Sequence, residues 1–559
     1  MAYRRRMRLL RFAGGLLLLL RALGSEYPPI LPQTPDPIQL LAMQRTAALL
    51  SGSTAADRHP VRVVVYGQST SQQWWSRELL RELPREFADS DFRGVLQAIT
   101  SFDADYLIQT AEADIYPLLP DLIIFQCYGP YGEGQAWERI LREFRSRTTA
   151  DIVLIGNHPT MDWELVEPTD PPEIHLDQFP STHGPAWLNY IRNPALSRAL
   201  GLCNPDIRSA WKRYVRENGL RTADLLQDKI HFNPRGSALL KAILLPYLRA
   251  PRLSPPVDPY NNSRVQTIPV GPGSADWSAG RLRLPFVGNR VDLIAKSGRG
   301  GRCRVLVDDR SPSSWPSGTG HSRSTSWKGE IYGRPAILKV GTEVPLIPEY
   351  WVLFITAVDP VDPTKVSFSL EGTVTGPDGD GVSTERFVSR SRRVVLNPEN
   401  WNMRIRPSTS QVGARIVWQA QVRSVDSYEP QPLRGGGFEA STNLINDLPD
   451  DSHVLELVAE DPANPPPVAA LRIYHPGGVT PGTETDGPGS SQVRLFQAAN
   501  SVLAVWPAGA AEVVPEFATS LQAPWISDPG RISEMFGFRI LAFPPNESCG
   551  FVRLATSPR

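Results

Sequence analysis

The chain has 559 residues, 41% apolar and 21% charged, with 14 Trp, which is too long for one core and points to about three or four globular domains. Lys+Arg and Asp+Glu both number 58, so no basic excess exists to displace counterions, which argues against a nucleic-acid partner held by phosphate contacts. Neutral partners such as sugars stay open.

The first residues differ from the rest. Arg4, Arg5, Arg6 and Arg8 precede an apolar run from Leu9 to Leu20, interrupted by Arg11 and two glycines, and Ala22-Leu23-Gly24 follows. A basic head, a short apolar stretch and a small-residue exit are the order of a secretory signal. The run falls short of the ~20 apolar residues that span a bilayer, and Arg21 closes it. The expectation is a leader over 1–25 and export to the periplasm, the cell surface or the medium. A retained anchor is the alternative, and only then is a membrane a partner.

Within an expected domain over 26–250, the chain alternates strand and helix from about residue 60. Val61 to Tyr66 is a β-branched run closed by Gly67, and Trp74 to Phe87 reads as an amphipathic helix. Gly94 to Ile99 reads as a second strand and Phe102 to Tyr116 as a second helix. Asp121 to Phe125 is almost continuously apolar, as a strand covered on both faces must be. A helix over Gln135 to Arg147, a strand over Asp151 to Ile155, and helices near Trp187 to Leu200, Pro205 to Asn218 and Pro234 to Leu248 complete the unit. Alternating β and α units predict a three-layer α/β fold, flavodoxin-like, with a parallel sheet. Ligands of such sheets bind at the carboxyl ends of the strands.

The 54 Pro and 43 Gly concentrate after residue 250, as turn-rich β modules require. Residues 251–274 read as a linker. Over 275–475 short strands, among them Arg290 to Ala295, Arg302 to Val307, Trp351 to Ala357, Lys365 to Leu370, Arg415 to Val422, Val454 to Val458 and Val468 to Tyr474, are separated by Gly/Pro/Asp turns. This predicts an all-β sandwich or jelly roll. A polar linker over 476–490 and a small β module over 491–559 follow.

Two segments carry chemistry. Val63-Val64-Val65-Tyr66-Gly67-Gln68-Ser69 ends a strand just before a helix. A serine there lies beside backbone N–H groups and a helix N-terminus that stabilise an oxyanion, but it needs a base to become a nucleophile. Asp228-Lys229-Ile230-His231, before the last helix, supplies one. An Asp three residues ahead of a His in a tight turn accepts the Nδ1 proton and leaves Nε2 facing the serine. The order Ser…Asp…His is compatible with a catalytic triad.

Strand–Gly67-Gln68-Ser69 resembles the first block of SGNH/GDSL hydrolases, with Gln68 where Asp is commoner. Asp228-Lys229-Ile230-His231 with Pro234 and Gly236 resembles their DxxHxxxxG final block. The resemblance covers roughly 55–250. It implies a serine esterase in which Ser69 attacks an ester carbonyl, His231 is base and then acid, and Asp228 orients His231. The middle blocks depart from the family. Where it has a glycine after the second strand this chain reads Ala98-Ile99-Thr100-Ser101, and Gly94 comes too early. Where it has Gly-x-Asn-Asp this chain reads Gln126 to Gly132 without Asn. One lost oxyanion donor costs ~10²–10³ in rate, so substitutes are needed: a backbone N–H near Thr100 or Gly129, or the side chain of Asn157. His158 is either a pocket-lining residue or a loop histidine. The β region is similar to modules that accompany SGNH domains in exported bacterial proteins.

The reading is therefore an exported multi-domain esterase on an ester-bearing small molecule or acetylated polysaccharide, needing no cofactor or metal. A non-catalytic carbohydrate-binding or adhesion protein with a decayed hydrolase domain, favoured by the missing blocks, and an acyltransferase on the same triad are the alternatives. Each candidate has a plainer role: Ser69 or Ser71 as a helix cap, Asp228 as a capping residue with His231 a surface side chain, and His175 and His183 as solvated loop residues. Cys127, Cys203, Cys303 and Cys549 show no metal-ligand spacing, their spacing fixes no disulfide pairing, and Cys127 reads as a small buried hydrophobe. Gly376 to Gly381 reads as a tight turn rather than a calcium loop. Ser297 to Gly301 reads as a hairpin rather than a phosphate loop.

Overall fold

The computed structural model describes residues 28–31, 34–127, 135–166, 188–249, 256–326, 334–402, 411–433 and 435–477, and in the tail the segments 494–498, 501–507, 513–518, 526–527, 532–535, 538–543 and 551–556. The leader over 1–25, Gly129, His175, His183, Cys549 and all but the first two residues of the linker 476–490 lie outside the described residues.

Strands β1 (Pro60–Gly67), β2 (Asp91–Leu96), β3 (Leu122–Gln126) and β4 (Asp151–Ile155) form a parallel sheet in the order β2-β1-β3-β4. The flanking helices are α1 (Pro37–Leu41), α2 (Gln44–Gly52), α3 (Trp74–Glu86), α4 (Ala104–Asp114), α5 (Gln135–Arg147), α6 (Asn193–Leu200), α7 (Ile207–Glu217) and α8 (Pro234–Leu248). The period of two along a strand sorts each apolar run onto two faces. Val61, Val63, Val65, Leu122, Ile124, Val153 and Ile155 share one core with Leu49, Trp75, Leu79, Trp211 and Leu240, from α2, α3, α7 and α8. Val64, Tyr66, Ile123, Phe125, Ile152 and Leu154 pack against Leu107 and Ala111 of α4 and Ile140 and Phe144 of α5. Both faces are covered, which is why Val63 to Tyr66 of β1 and Leu122 to Phe125 of β3 run apolar without interruption.

The second strand begins three residues earlier than its sequence suggests. Asp91 N donates to His59 O at 2.8 Å, so pairing with β1 starts there, Gly94 lies within the strand, and Ala98 to Ser101 become a loop at its carboxyl end.

Beyond the α/β unit come β5 (Val265–Pro269), β6 (Arg281–Gly288), β7 (Arg290–Ala295) and β8 (Cys303–Val307). An inserted unit follows: β9 (Thr319–His321), β10 (Thr325–Ser326), β11 (Glu349–Val358), β12 (Val366–Gly372), β13 (Gly376–Val382), β14 (Phe387–Val388), β15 (Val395–Leu396) and β16 (Arg415–Val422). Then come β17 (Ser427–Tyr428), β18 (Ser441–Ile445), β19 (Asp451–Ala459) and β20 (Val468–Tyr474). The sheets β17-β8-β19-β6 and β18-β7-β20-β5 enclose a core containing Leu282, Val291, Val305, Leu455 and Leu471. β6 alternates exposed and buried residues along its whole length, as a strand with one wet face does. The insert has its own sheet, β10-β16-β11-β12-β13 with β9 on β16, and its own core around Trp351, Phe368 and Trp418.

Three expectations are corrected. The stretch 251–274, expected to link domains, contains β5, which pairs with β20. Ser297 to Gly301 is no hairpin: β7 pairs with β18 and β20 while β8 pairs with β17 and β19, so the chain crosses between sheets. Gly376 to Gly381 is no turn but most of edge strand β13, on β12, where Asp378 is buried and accepts from Ser391 N at 2.8 Å. Glycine and proline mark an irregular edge there as they would a turn, with a register shift at Leu370/Glu371. In the tail, strands from Arg494–Ala498 to Phe551–Thr556 form two further antiparallel sheets.

Candidate functional site

β1 is where the strand order reverses, with β2 on one side and β3 on the other, and at such a point a crevice opens outside the carboxyl ends. The chain leaves β1 through Gly67, whose φ of +151° and contact with Gln126 leave no room for a side chain. Ser69 then opens a short 3-10 turn, Ser69–Gln72, ahead of α3. The first N–H groups of such a turn have no partner within it, and the Gln68 side chain does not cap it. That amide instead donates to Cys127 Sγ at 3.3 Å.

The second segment folds back on itself. Gln227 N donates to His231 O at 2.9 Å and Asn233 N to Leu225 O at 3.0 Å. Asp228 Oδ1 accepts from Ile230 N at 2.8 Å and His231 N at 2.7 Å, while Oδ2 lies 2.8 Å from His231 Nδ1. Desolvation pushes the Asp228 carboxyl up, but the N–H groups of His231 and Ile230 and the His231 ring outweigh it and hold it at about 2. His231 Nε2 lies 2.8 Å from Ser69 Oγ. Serine, imidazole and carboxylate thus form one hydrogen-bonded line, with the Nδ1 proton assigned by the acceptor it faces. Ser69 and His231 are half-buried and Asp228 is exposed.

Residues that sequence reasoning passed over hold the line in place. Gln73 clamps the two segments together, its Oε1 accepting from Phe232 N at 3.0 Å and its Nε2 donating to Phe232 O at 3.2 Å. Gln126 Oε1, at the end of β3, accepts from Thr70 Oγ1 and, at 3.1 Å, from Ser71 Oγ. Gln72 ties the serine's turn to the loop after β2: its Nε2 donates to Ala98 O and its Oε1 accepts from Thr100 Oγ1, both at 2.8 Å. The Gln-x-x-x-Gln-Gln spacing over 68–73 was the available signal, since amides around a nucleophile serve as two-ended struts. Asn233 caps α8 through Gly236 N at 2.9 Å. Gly236 is required because a Cβ would lie 2.2 Å from Leu225 O.

The remaining candidates divide. Thr100 lies on the loop bordering the serine's turn. Asn157 follows β4 at the carboxyl edge and is buried, its N–H donating to Asn189 Oδ1 at 2.7 Å. His158 is buried beneath the histidine turn, 4.4 Å from the Phe232 ring and 5.0 Å from Trp211 between centroids, and bonds the Ile230 backbone. Burial, with Arg208 nearby, lowers it to about 3. A neutral ring in that place supports the turn. Cys127 is buried and burial pushes its thiol up, so it has no nucleophilic character. Cys203 and Cys303 are likewise buried free thiols. Among the described residues no group of His, Cys, Asp and Glu has the arrangement to hold a metal ion, and no helix is long and apolar enough to cross a membrane. A cavity of about 690 Å³ lies elsewhere, in the sandwich beside β5, β6 and β19, lined by Phe286, Val287 and His453 among others.

No family model matches the chain, and no curated protein matches it. Among solved structures it is similar to a two-domain esterase (CEX) active on acetylated mannans, at 10% identity over 78% of this chain and 95% of that one, with a TM-score of 0.29. It is also similar to LAE5, an alpha/beta hydrolase enzyme from the metagenome of Lake Arreo, Spain, at 13% identity over 35% of this chain and 98% of that one, TM-score 0.28. A third is Axe2, an acetylxylan esterase from Geobacillus stearothermophilus, at 12% identity over 35% and 96%, TM-score 0.28. Likenesses of this depth leave the chemistry to the geometry of the site itself.

Proposed function

We propose that this chain is an exported serine esterase of the SGNH type, acting through Ser69, His231 and Asp228 on small acyl esters, acetyl groups on carbohydrate foremost. The observation that carries the reading is the pair of 2.8 Å contacts from one imidazole, Nε2 to Ser69 Oγ and Nδ1 to Asp228 Oδ2. A nucleophile within hydrogen-bond reach of a base that a third group orients is the general requirement for such catalysis.

Ser69 Oγ attacks the ester carbonyl as its proton passes to His231 Nε2. The tetrahedral oxyanion is met by backbone N–H groups of the serine's turn and of the Thr100 loop, with Asn157 behind β4 as the side-chain candidate. Collapse breaks the bond to the alkoxy oxygen, which leaves as the alcohol with the proton from His231. Water then repeats the sequence on the acyl-serine, releasing the acid and restoring Ser69. Asp228 stays ionised throughout, since its carboxyl sits near 2.

The test is hydrolysis of p-nitrophenyl acetate and acetate release from acetylated xylan and mannan by the full chain and by Ser69→Ala. The reading requires the variant to lose about 10⁴-fold in kcat or more; equal turnover by both proteins removes Ser69 from the mechanism. Running the assay with an alcohol acceptor and identifying the product separates hydrolysis from acyl transfer.

A further inference from the structure

The loop that borders the serine's turn is held from two sides, and one of them belongs to the inserted β unit. From within the α/β unit, Ile99 N donates to Gly67 O at 2.8 Å and Gln72 grips Ala98 and Thr100. From the insert, Arg334 Nε donates to Thr100 O at 2.8 Å and its Nη2 to Ser101 Oγ at 2.6 Å. Arg323, also of the insert, donates to Gln97 Oε1 at 2.9 Å and to Asp114 Oδ1 at 2.8 Å. Ser101 has a φ of +61°, a left-handed conformation that a serine keeps only when its surroundings hold it. Leu338, four residues after Arg334, is buried in the same core as Leu107 and Ile140 of the α/β unit, so the guanidinium projects from a docked segment.

We propose that Arg334 is a positioning residue for the proposed hydrolase: it fixes the Thr100–Ser101 loop beside Ser69, so the inserted β unit is part of the catalytic apparatus and not a tethered accessory. The inference rests on the esterase reading. A planar fork suits the task because it reaches a carbonyl and a hydroxyl at once, and the chain Arg334–Thr100–Gln72 leads by hydrogen bonds into the turn that carries the nucleophile. The loop supplies proposed oxyanion donors, and their displacement lowers stabilisation of the transition state while leaving ground-state binding in place.

The experiment uses the full chain with Arg334→Ala, Arg334→Lys and, as a docking control, Lys339→Ala, which removes another contact of the insert, to Glu112 Oε1 at 3.2 Å. Arg334→Ala is expected to lose roughly 10- to 100-fold in kcat with KM within about twofold. Its thermal midpoint should match that of Lys339→Ala, which keeps its kcat. Arg334→Lys, which keeps the charge and donors but not the planar fork, should recover part of the loss. The rate at which a fluorophosphonate labels Ser69 should fall in parallel with kcat. Unchanged kcat and labelling in Arg334→Ala, or an equal loss in Lys339→Ala, would overturn the proposal while Ser69-dependent turnover of the unaltered chain stood. Absence of that turnover and labelling would overturn the esterase reading itself and this inference with it.

Discussion

The carbonyl of Gln126 occupies the space that a side chain on Gly67 would need: a Cβ there would lie 1.9 Å from that oxygen and 2.6 Å from Ser71 Oγ. With φ at +151° as well, Gly67→Ala combines backbone strain with a collision against β3, which cannot retreat without losing its pairing with β1. A destabilisation of about 3 kcal/mol or more is expected. A urea titration followed by Trp fluorescence would measure it, and a midpoint equal to that of the unaltered chain would contradict the close approach.

Asp228→Asn tests the orienting carboxylate. The amide oxygen of Asn can still accept from Ile230 N and His231 N, so the turn keeps its shape, but its NH₂ cannot accept the Nδ1 proton and favours the wrong tautomer. The Asp228 side chain is 52% exposed, so water partly replaces the lost acceptor, and a fall in kcat of about 10²–10³-fold is expected, short of the ~10⁴ of a buried equivalent. Combined with Ser69→Ala it should cost nothing further, since members of one catalytic unit are not additive. Steady-state kinetics of the single and double variants check both statements.

Gln73→Ala removes the clamp between the serine and histidine segments without touching a reacting atom. The Phe232 N–H and C=O lose the partners at 3.0 and 3.2 Å, which costs about 1–2 kcal/mol of stability. The larger effect falls on geometry: with Ser69 and His231 free to drift apart, kcat should drop roughly tenfold at constant KM. An unchanged kcat with the lowered stability would show that the clamp is structural alone.

These amides mark the limit of what the sequence conveyed. The parallel sheet was legible because strands covered on both faces must be continuously apolar, and Leu122 to Phe125 and Ile152 to Ile155 are. Ser69, Asp228 and His231 were legible because strand-end and helix-start positions follow from that pattern, and the structure brings the three together. The glutamine spacing over 68–73 marked amides beside Ser69 but not what Gln72, Gln73 and Gln126 would hold, because a glutamine announces no partner: theirs are backbone groups and hydroxyls 26 to 159 residues away. The division of the β region was hidden for a related reason. Strands β8 and β17 are consecutive in their sheet yet separated by the whole insert, and short alternating strands look alike whichever sheet they enter. Arg334 lies in that insert, so nothing local linked it to a loop more than two hundred residues earlier.

Buried histidines make the fold acid-sensitive in a defined window. His321 is pushed down to about 4 by burial, against an unfolded value of 6.5. The unfolded chain therefore binds the proton first as pH falls, so the stabilisation present above 6.5 drains away toward 4, by roughly 3 kcal/mol at the lower end. His158, lowered to about 3, acts with the same sign. Asp114 opposes them: burial raises it to about 6 although Arg323 pulls the other way. The folded state thus holds that proton first, and acidification from 6 toward 3.8 relieves a cost. His321→Gln should accordingly flatten the fall of the urea midpoint between pH 6.5 and 4, while Asp114→Asn should steepen it. Trp418, its ring centroid 6.3 Å from that of His321, lies close enough to report local loosening by fluorescence. Variants whose midpoints track the unaltered chain across that range would rule out both side chains as the source of the acid sensitivity.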